Sequence, residues 1–246
     1  MYSQSAVSPI RRSFIPAISP IETAPTLRDL FKGQPSESFG AGEAIFWEGD
    51  PSRHIFDVLA GVLRVHRILP DGRRAIMGFI HPGDVLGVSF QSRYLFTAEA
   101  VTDVKVRRFA RGRFFSLVNE TPALRPQLFA ILCDEMSAAQ DQMLLLGRKN
   151  AEERVVSFLL SIHRKSRAGD AIELPMSRLD IADYLGLTME TVSRTMTSLA
   201  RRGLIAPGAR HTVNLCKMGA LREIAGDDAE EAELEPALPR RAVWPN

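Results

Sequence analysis

Between Leu174 and Leu215 the chain sets out its signals in an order that few folds accept. Ser177 is a helix-capping residue placed before the apolar positions Leu179, Ile181, Ala182 and Leu185. Gly186-Leu187 then makes a tight turn, and Thr188 is positioned to cap again. From Met189 to Arg202, Val192, Met196 and Leu199 recur at helical spacing, which turns Glu190, Thr191, Ser193, Arg194 and Thr197 outward. Gly203-Leu204-Ile205 and Thr212 to Leu215 read as a small hairpin with its turn at Pro207-Gly208. Two helices across a glycine turn, the second polar at its exposed N-terminal end and followed by a hairpin, make a winged helix-turn-helix. Its reading helix spans roughly Thr188 to Ala200. Such a helix fits the DNA major groove, where an arginine donates two hydrogen bonds to guanine and a glutamate accepts from the cytosine amino group. Glu190 and Arg194 stand four residues apart on one face with Ser193 beside them. The same spacing also makes an ordinary surface ion pair worth ~0.3 to 0.5 kcal/mol, and spacing alone does not separate the two.

Upstream the periodicity changes. From Glu37 to Leu117 short apolar runs alternate with glycine, as in Val62 to Ile68, and the turn Pro70-Asp71-Gly72 leads into Ala75 to Ile80. Hairpins in such succession predict a rolled β structure. Thr121-Pro122 supplies a cap followed by proline, so a long helix is expected to begin there, with Pro126 kinking or delaying its first turns. Along it Phe129, Leu132, Met136, Ala139, Met143 and Leu146 alternate by three and four, the seam of a two-helix coiled coil and hence a dimer interface. The competing reading is an amphipathic helix packed only on its own domain. A second helix is predicted over Ala151 to Lys165, buried through Val155, Phe158, Leu159 and Ile162 and closed by Ser166-Arg167-Ala168-Gly169-Asp170. Ile172-Glu173-Leu174 reads as a strand and Met218 to Ile224 as a last short helix.

The expected fold is therefore α+β, in segments 1–36 (an arm with a helical turn near Leu27 to Phe31), 37–120 (β-roll), 121–147 (dimerisation helix), 148–225 (winged helix-turn-helix) and 226–246 (an acidic, disordered tail). Charge follows this division. Net charge is only +2, but Gly147 to Ala225 carries thirteen Lys/Arg against eight Asp/Glu, and Gly226 to Asn246 two against six. A basic segment before an acidic end suits a polyanion-binding module, although bland domains show it too. Cys133 and Cys216 are the sole cysteines, far apart and in no metal-binding spacing, which argues against a disulfide framework and favours a reducing compartment. Cys133 adjoins the seam, yet inert packing is the ordinary fate of such a residue. The first twenty residues hold no apolar signal core and no long apolar run follows, so a cytoplasmic location with no membrane contact is expected. No nucleophile elbow, phosphate-cradling loop or metal spacing points to an enzyme.

The segment Leu174 to Arg194 resembles the helix-turn-helix of Crp/Fnr regulators, and Arg148-Lys149-Asn150-Ala151-Glu152-Glu153-Arg154 resembles the Fnr branch. The resemblance spans about Ser38 to Leu221 and implies a sensor β-roll, a dimerisation helix and a DNA-binding domain. It implies that Glu190, Ser193 and Arg194 read TTGAT-like half-sites of a palindrome, that Ser177, Arg178, Thr188 and Thr191 hold phosphates, and that a homodimer on double-stranded DNA addresses RNA polymerase. Two departures matter. Where cyclic-nucleotide binders carry Gly-Glu and Arg-Ser/Thr, this chain has Gly87-Val88 and Phe96-Thr97, so no response to cyclic AMP is expected. Residues 1–132 contain no cysteine, which leaves no ligands for the Fnr-type iron–sulfur cluster and points to the FixK-like subgroup, regulators of microaerobic genes without a cofactor. The alternatives are a haem-based nitric oxide or carbon monoxide sensor using His54, His66 or His81, and a ligand-binding roll without specific DNA activity.

Overall fold

The computed structural model describes residues 25–165 and 169–226; the expected arm up to residue 24, Ser166-Arg167-Ala168 and the tail beyond Gly226 lie outside the described residues. A 3-10 turn over Leu27–Phe31 precedes eight strands: β1 (Ser36–Phe39), β2 (Ala44–Phe46), β3 (His54–Ala60), β4 (Leu63–Ile68), β5 (Arg74–Ile80), β6 (Val85–Leu86), β7 (Thr97–Ala100) and β8 (Val104–Ala110). They form two antiparallel four-stranded sheets, ordered β1-β8-β3-β6 and β2-β7-β4-β5, that face each other as a roll. The expected hairpin is β4–β5, its turn closed by the Leu69 N–H donating to the Arg73 carbonyl at 2.8 Å, with Gly72 at φ 82°. Gly61, between β3 and β4, admits no side chain: a Cβ there would stand 2.1 Å from the Asp103 carbonyl oxygen.

The roll has two apolar layers. Between the sheets Phe46, Phe56, Tyr94 and Phe96 pack with Val58, Leu63, Val65 and Val106. Outside the β3–β8–β6 face, Phe31, Ile55, Val85, Val88 and Phe109 pack beneath Phe114 and Val118 of α1 (Arg111–Glu120) and the start of α2 (Arg125–Arg148). Helix α1 falls inside the stretch expected to be strand. Ala110 gives it no side-chain cap, and its aromatic pair Phe114-Phe115 has strand-like composition, so only burial of Phe114 and Val118 one turn apart settles the conformation. The long helix also starts later than expected. Thr121 makes no capping bond, Pro122–Leu124 forms a 3-10 turn, and α2 begins at Arg125 with Pro126 in its first turn, where the missing N–H costs nothing.

The remainder comprises α3 (Ala151–Lys165), β9 (Ala171–Glu173), α4 (Arg178–Leu185), α5 (Met189–Arg201), β10 (Ile205–Pro207), β11 (Thr212–Leu215) and α6 (Met218–Ala225). The strands form one small sheet ordered β10-β11-β9. Val155, Phe158, Leu159 and Ile162 of α3 meet Ile181 and Leu185 of α4 and Val192, Met196 and Leu199 of α5 in one core, each such burial stabilising by roughly 1.5 to 3 kcal/mol. Leu179, grouped with these by its position before the turn, is instead exposed.

The Fnr-like motif at the α2–α3 junction has a local physical role. The Asn150 side-chain oxygen accepts from the Glu152 and Glu153 N–H groups at 3.0 and 3.1 Å, and Glu153 returns a bond to the Asn150 N–H at 2.8 Å, a reciprocal cap. Arg154 donates to the carbonyls of Leu146, Lys149 and Leu185 at 2.9, 2.9 and 3.0 Å, tying the end of α2 to the end of α4. The roll joins the same assembly through β5, whose Ile76 and Phe79 enter the core of the C-terminal domain. The Phe79 ring lies 6.2 Å from Phe158 and 5.6 Å from Tyr184.

Candidate nucleic-acid interface

Helix α4 opens on Ser177, whose hydroxyl accepts from the Asp180 N–H at 3.0 Å and donates to Asp180 Oδ2 at 2.7 Å, while its own N–H donates to that oxygen at 3.1 Å. Both donors of Ser177 are thus committed to the cap. Arg178 is half-buried, and burial pulls its guanidinium below the usual value without discharging it at neutral pH. Gly186 at φ 62° ends α4 in the left-handed conformation that glycine tolerates.

Helix α5 is capped by Thr188, which accepts from the Thr191 N–H at 3.1 Å. The Thr188 and Thr191 hydroxyls stand 2.8 Å apart, so one proton is shared between them and the other is free to point outward. Ser193 donates to the Met189 carbonyl at 2.9 Å, which leaves its oxygen as an acceptor only. Glu190 and Arg194 are ion-paired at 2.7 Å with side chains 70% and 80% exposed. An acceptor-only carboxylate, an acceptor hydroxyl and a five-donor guanidinium therefore share the solvent face of one helix, while Val192, Met196 and Leu199 hold the opposite face down.

The wing adds a feature that the sequence reading passed over. Arg210 and His211, exposed at its tip, take φ values of 39° and 60°, a region that side-chain-bearing residues rarely occupy. Adjacent basic residues directly after Pro207-Gly208-Ala209 were the available signal.

Along α2, Leu128, Ile131, Ala138 and Leu145 are buried against the chain itself. Of the predicted seam, Phe129, Met136 and Met143 are 67%, 61% and 73% exposed, Ala139 and Leu146 are exposed too, and Leu132 turns partly into the roll's outer core. Leu144 and Cys133 extend the exposed surface. Phe96 is buried between the two sheets and Val88 in the outer apolar layer of the roll. The rings of Phe46 and Tyr94 stack at 3.7 Å, with Phe56 and Phe96 5.7 and 5.8 Å from Phe46. His54 lies on β3 beside Phe56, His66 on β4 beside Glu99, and His81 just after β5. No three His, Cys, Asp or Glu side chains converge as metal ligands among the described residues. No helix among them is long and apolar enough to cross a membrane.

A β-roll, a long helix and a winged helix-turn-helix with a bare polar reading face define a DNA-binding regulator of transcription. Residues 36–121 match the cyclic nucleotide-binding domain and residues 153–224 the Crp-like helix-turn-helix domain. The nitrogen fixation regulation protein FixK of Bradyrhizobium diazoefficiens is 46% identical over 172 residues, 68% of this chain and 73% of the relative. The transcriptional activator protein FnrL of Cereibacter sphaeroides is 34% identical over 231 residues, 90% and 92% of the two chains. The solved structure of FixK2 from Bradyrhizobium japonicum superposes with a TM-score of 0.76 at 36% identity, covering 80% of this chain and 99% of that one. The chain belongs to the Crp/Fnr family of transcription regulators, on its FixK-like side.

Proposed function

We propose that two copies of this chain pair along the exposed face of α2 and present their α5 helices to successive major grooves of a TTGAT-like palindrome, activating transcription of genes for oxygen-limited or nitrogen-oxide metabolism. The observation that carries this is the coexistence, in one chain, of an exposed acceptor–donor face on α5 and an apolar stripe on α2 left in solvent. Arg194 donates to guanine, while Glu190 and Ser193 accept from base amino groups, each contact contributing ~1 to 3 kcal/mol of discrimination. Arg178 and the free hydroxyl proton of the Thr188–Thr191 pair hold phosphates, joined by Arg210 and His211 from the wing; Ser177 acts through the cap of α4. Phe129, Met136, Ala139, Met143 and Leu146 supply the dimer surface with Leu132 at its margin. The names of the relatives, nitrogen fixation regulation and transcriptional activation, support the biological assignment, and RNA polymerase is the partner that the family resemblance implies. Cyclic AMP is not the effector. Val88 and Phe96 stand where the resemblance expects the glutamate and arginine that hold its ribose and phosphate; both are buried apolar side chains, and a buried phosphate without a counter-charge is costly.

A gel shift at fixed salt tests the reading. A TTGAT-like palindrome should bind at least 100-fold tighter than scrambled DNA and as a dimer, without any response to cyclic AMP. Equal affinity for both duplexes would reduce the protein to phosphate binding and overturn it.

A further inference from the structure

The roll and the reading domain are joined by ionic contacts as well as apolar ones. Arg74, at the start of β5, donates through Nη2 to Asp180 Oδ1 at 2.6 Å and through Nε to Asp183 Oδ2 at 2.9 Å, across 106 and 109 residues of chain. Arg64 on β4 places Nη1 3.3 Å from the same Asp180 oxygen, and Glu99, directly opposite it on β7, holds the remainder of its guanidinium. Side-chain exposures are 15% for Arg64, 21% for Arg74, 6% for Asp180 and 20% for Asp183, so the cluster is largely withdrawn from water. Asp180 has two tasks. Its Oδ2 closes the cap on Ser177, and its Oδ1 receives the two arginines, so one carboxylate both starts the helix-turn-helix and fastens it to the roll.

Stability does not require this arrangement. Taking charges out of water offsets most of their mutual attraction, and Ile76 and Phe79 of the same hairpin already bury the interface. What apolar packing lacks is direction. A guanidinium shared between two carboxylates one turn apart fixes the azimuth and tilt of the helix carrying them, because its donors form a rigid planar fork. Helix α4 shares its core with α5, so the reading helix inherits that orientation. In a dimer whose two helices must meet grooves one turn of DNA apart, the orientation sets the half-site spacing.

We propose that Arg64 and Arg74 are positioning residues that lock α4, and through it α5, onto the β-roll, so that a fixed ionic latch sets which operator spacing the dimer accepts. The inference rests on the DNA reading above. With the latch formed, no ligand is required in the roll to orient the reading helices.

The test uses full-length protein and fluorescence anisotropy on two labelled operators, the preferred palindrome and one lengthened at its centre by a single base pair. Arg74→Ala should weaken binding to the preferred operator about tenfold and Asp183→Asn less, and the double variant should be no worse than Arg74→Ala alone, since loss of the arginine already removes the Asp183 contact. Both should also lose spacing discrimination, binding the two operators within about threefold of each other where the unaltered protein separates them strongly. Arg74→Lys, which keeps charge but not the fork, should fall between. Asp183→Asn preserves volume while removing the carboxylate charge that holds Arg74, so it remains informative if Arg74→Ala fails to fold. Unchanged spacing discrimination in a folded variant, or additive losses in the double variant, overturns the latch. Failure of the unaltered protein to prefer a palindrome overturns the DNA reading instead.

Discussion

Val88 and Phe96 in the roll and Glu190 and Arg194 on α5 are the two pairs on which the proposed function turns, and the contrast between them is chemical. Phe96 is buried beside the stacked rings between the sheets and Val88 in the roll's outer apolar layer; Glu190 and Arg194 stand in solvent, paired with each other. Buried apolar side chains without an unpaired polar atom have nothing to offer a charged ligand. Exposed charged groups whose mutual pairing contributes a few tenths of a kcal/mol exchange it readily for a stronger partner. On the proposed function, the roll serves as a structural support and the recognition chemistry is concentrated in the C-terminal domain.

The largest test of this division is to separate the halves. Phe79→Ala, which empties the aromatic contact between β5 and the C-terminal core, should cost ~3 to 5 kcal/mol and split a single calorimetric unfolding transition into two. A single transition at unchanged temperature would mean that the Phe79 contact does not hold the halves together. Next in size is Arg194→Ala. Binding selections from a randomised half-site should lose ~1 to 3 kcal/mol of preference at one guanine, with the other positions kept. A uniform loss at every position would make Arg194 a phosphate contact. The smallest effect belongs to α2, which serves both halves. Burial pushes the Glu135 carboxyl up from 4.5 to about 7, so the native state retains a proton that the unfolded chain has released. The associated stability is present below about pH 4.5 and is lost as pH rises through 7. Glu135→Gln should therefore raise the melting temperature by a few degrees near pH 8, roughly in the range one surface-proximal substitution commands, and leave it unchanged near pH 4. An equal gain at both pH values would assign the effect to something other than ionisation.

Much of the C-terminal domain was legible in the sequence. Ser177 and Thr188 cap as their residue types require, Gly186 turns left-handed, and Val192, Met196 and Leu199 face inward, because each is fixed by neighbours within one or two helical turns. Helix α1 was missed for the complementary reason. It has no cap, and its aromatic composition favours strand, so a contact with Phe31 and the outer face of the roll decides it. Leu132 and Leu146 share a seam by spacing, yet Leu132 leans partly into the roll while Leu146 stays exposed, since a heptad gives an angle around the helix and not the width of the surface it covers.

The amino-acid order alone determined the succession of a β-roll, a long helix and a winged helix-turn-helix, and with it the family. These depend on periodicity, caps and turns, whose physics is local. Only the folded arrangement decided that Arg64 and Arg74 would meet Asp180 and Asp183, that Ser177 would give both its donors to the cap, and that Arg154 would bind three carbonyls from two helix ends. Such pairings join charges more than a hundred residues apart in the first case, and no local rule couples them; they follow from the packing of Phe79 into the C-terminal core, which brings the two halves within reach.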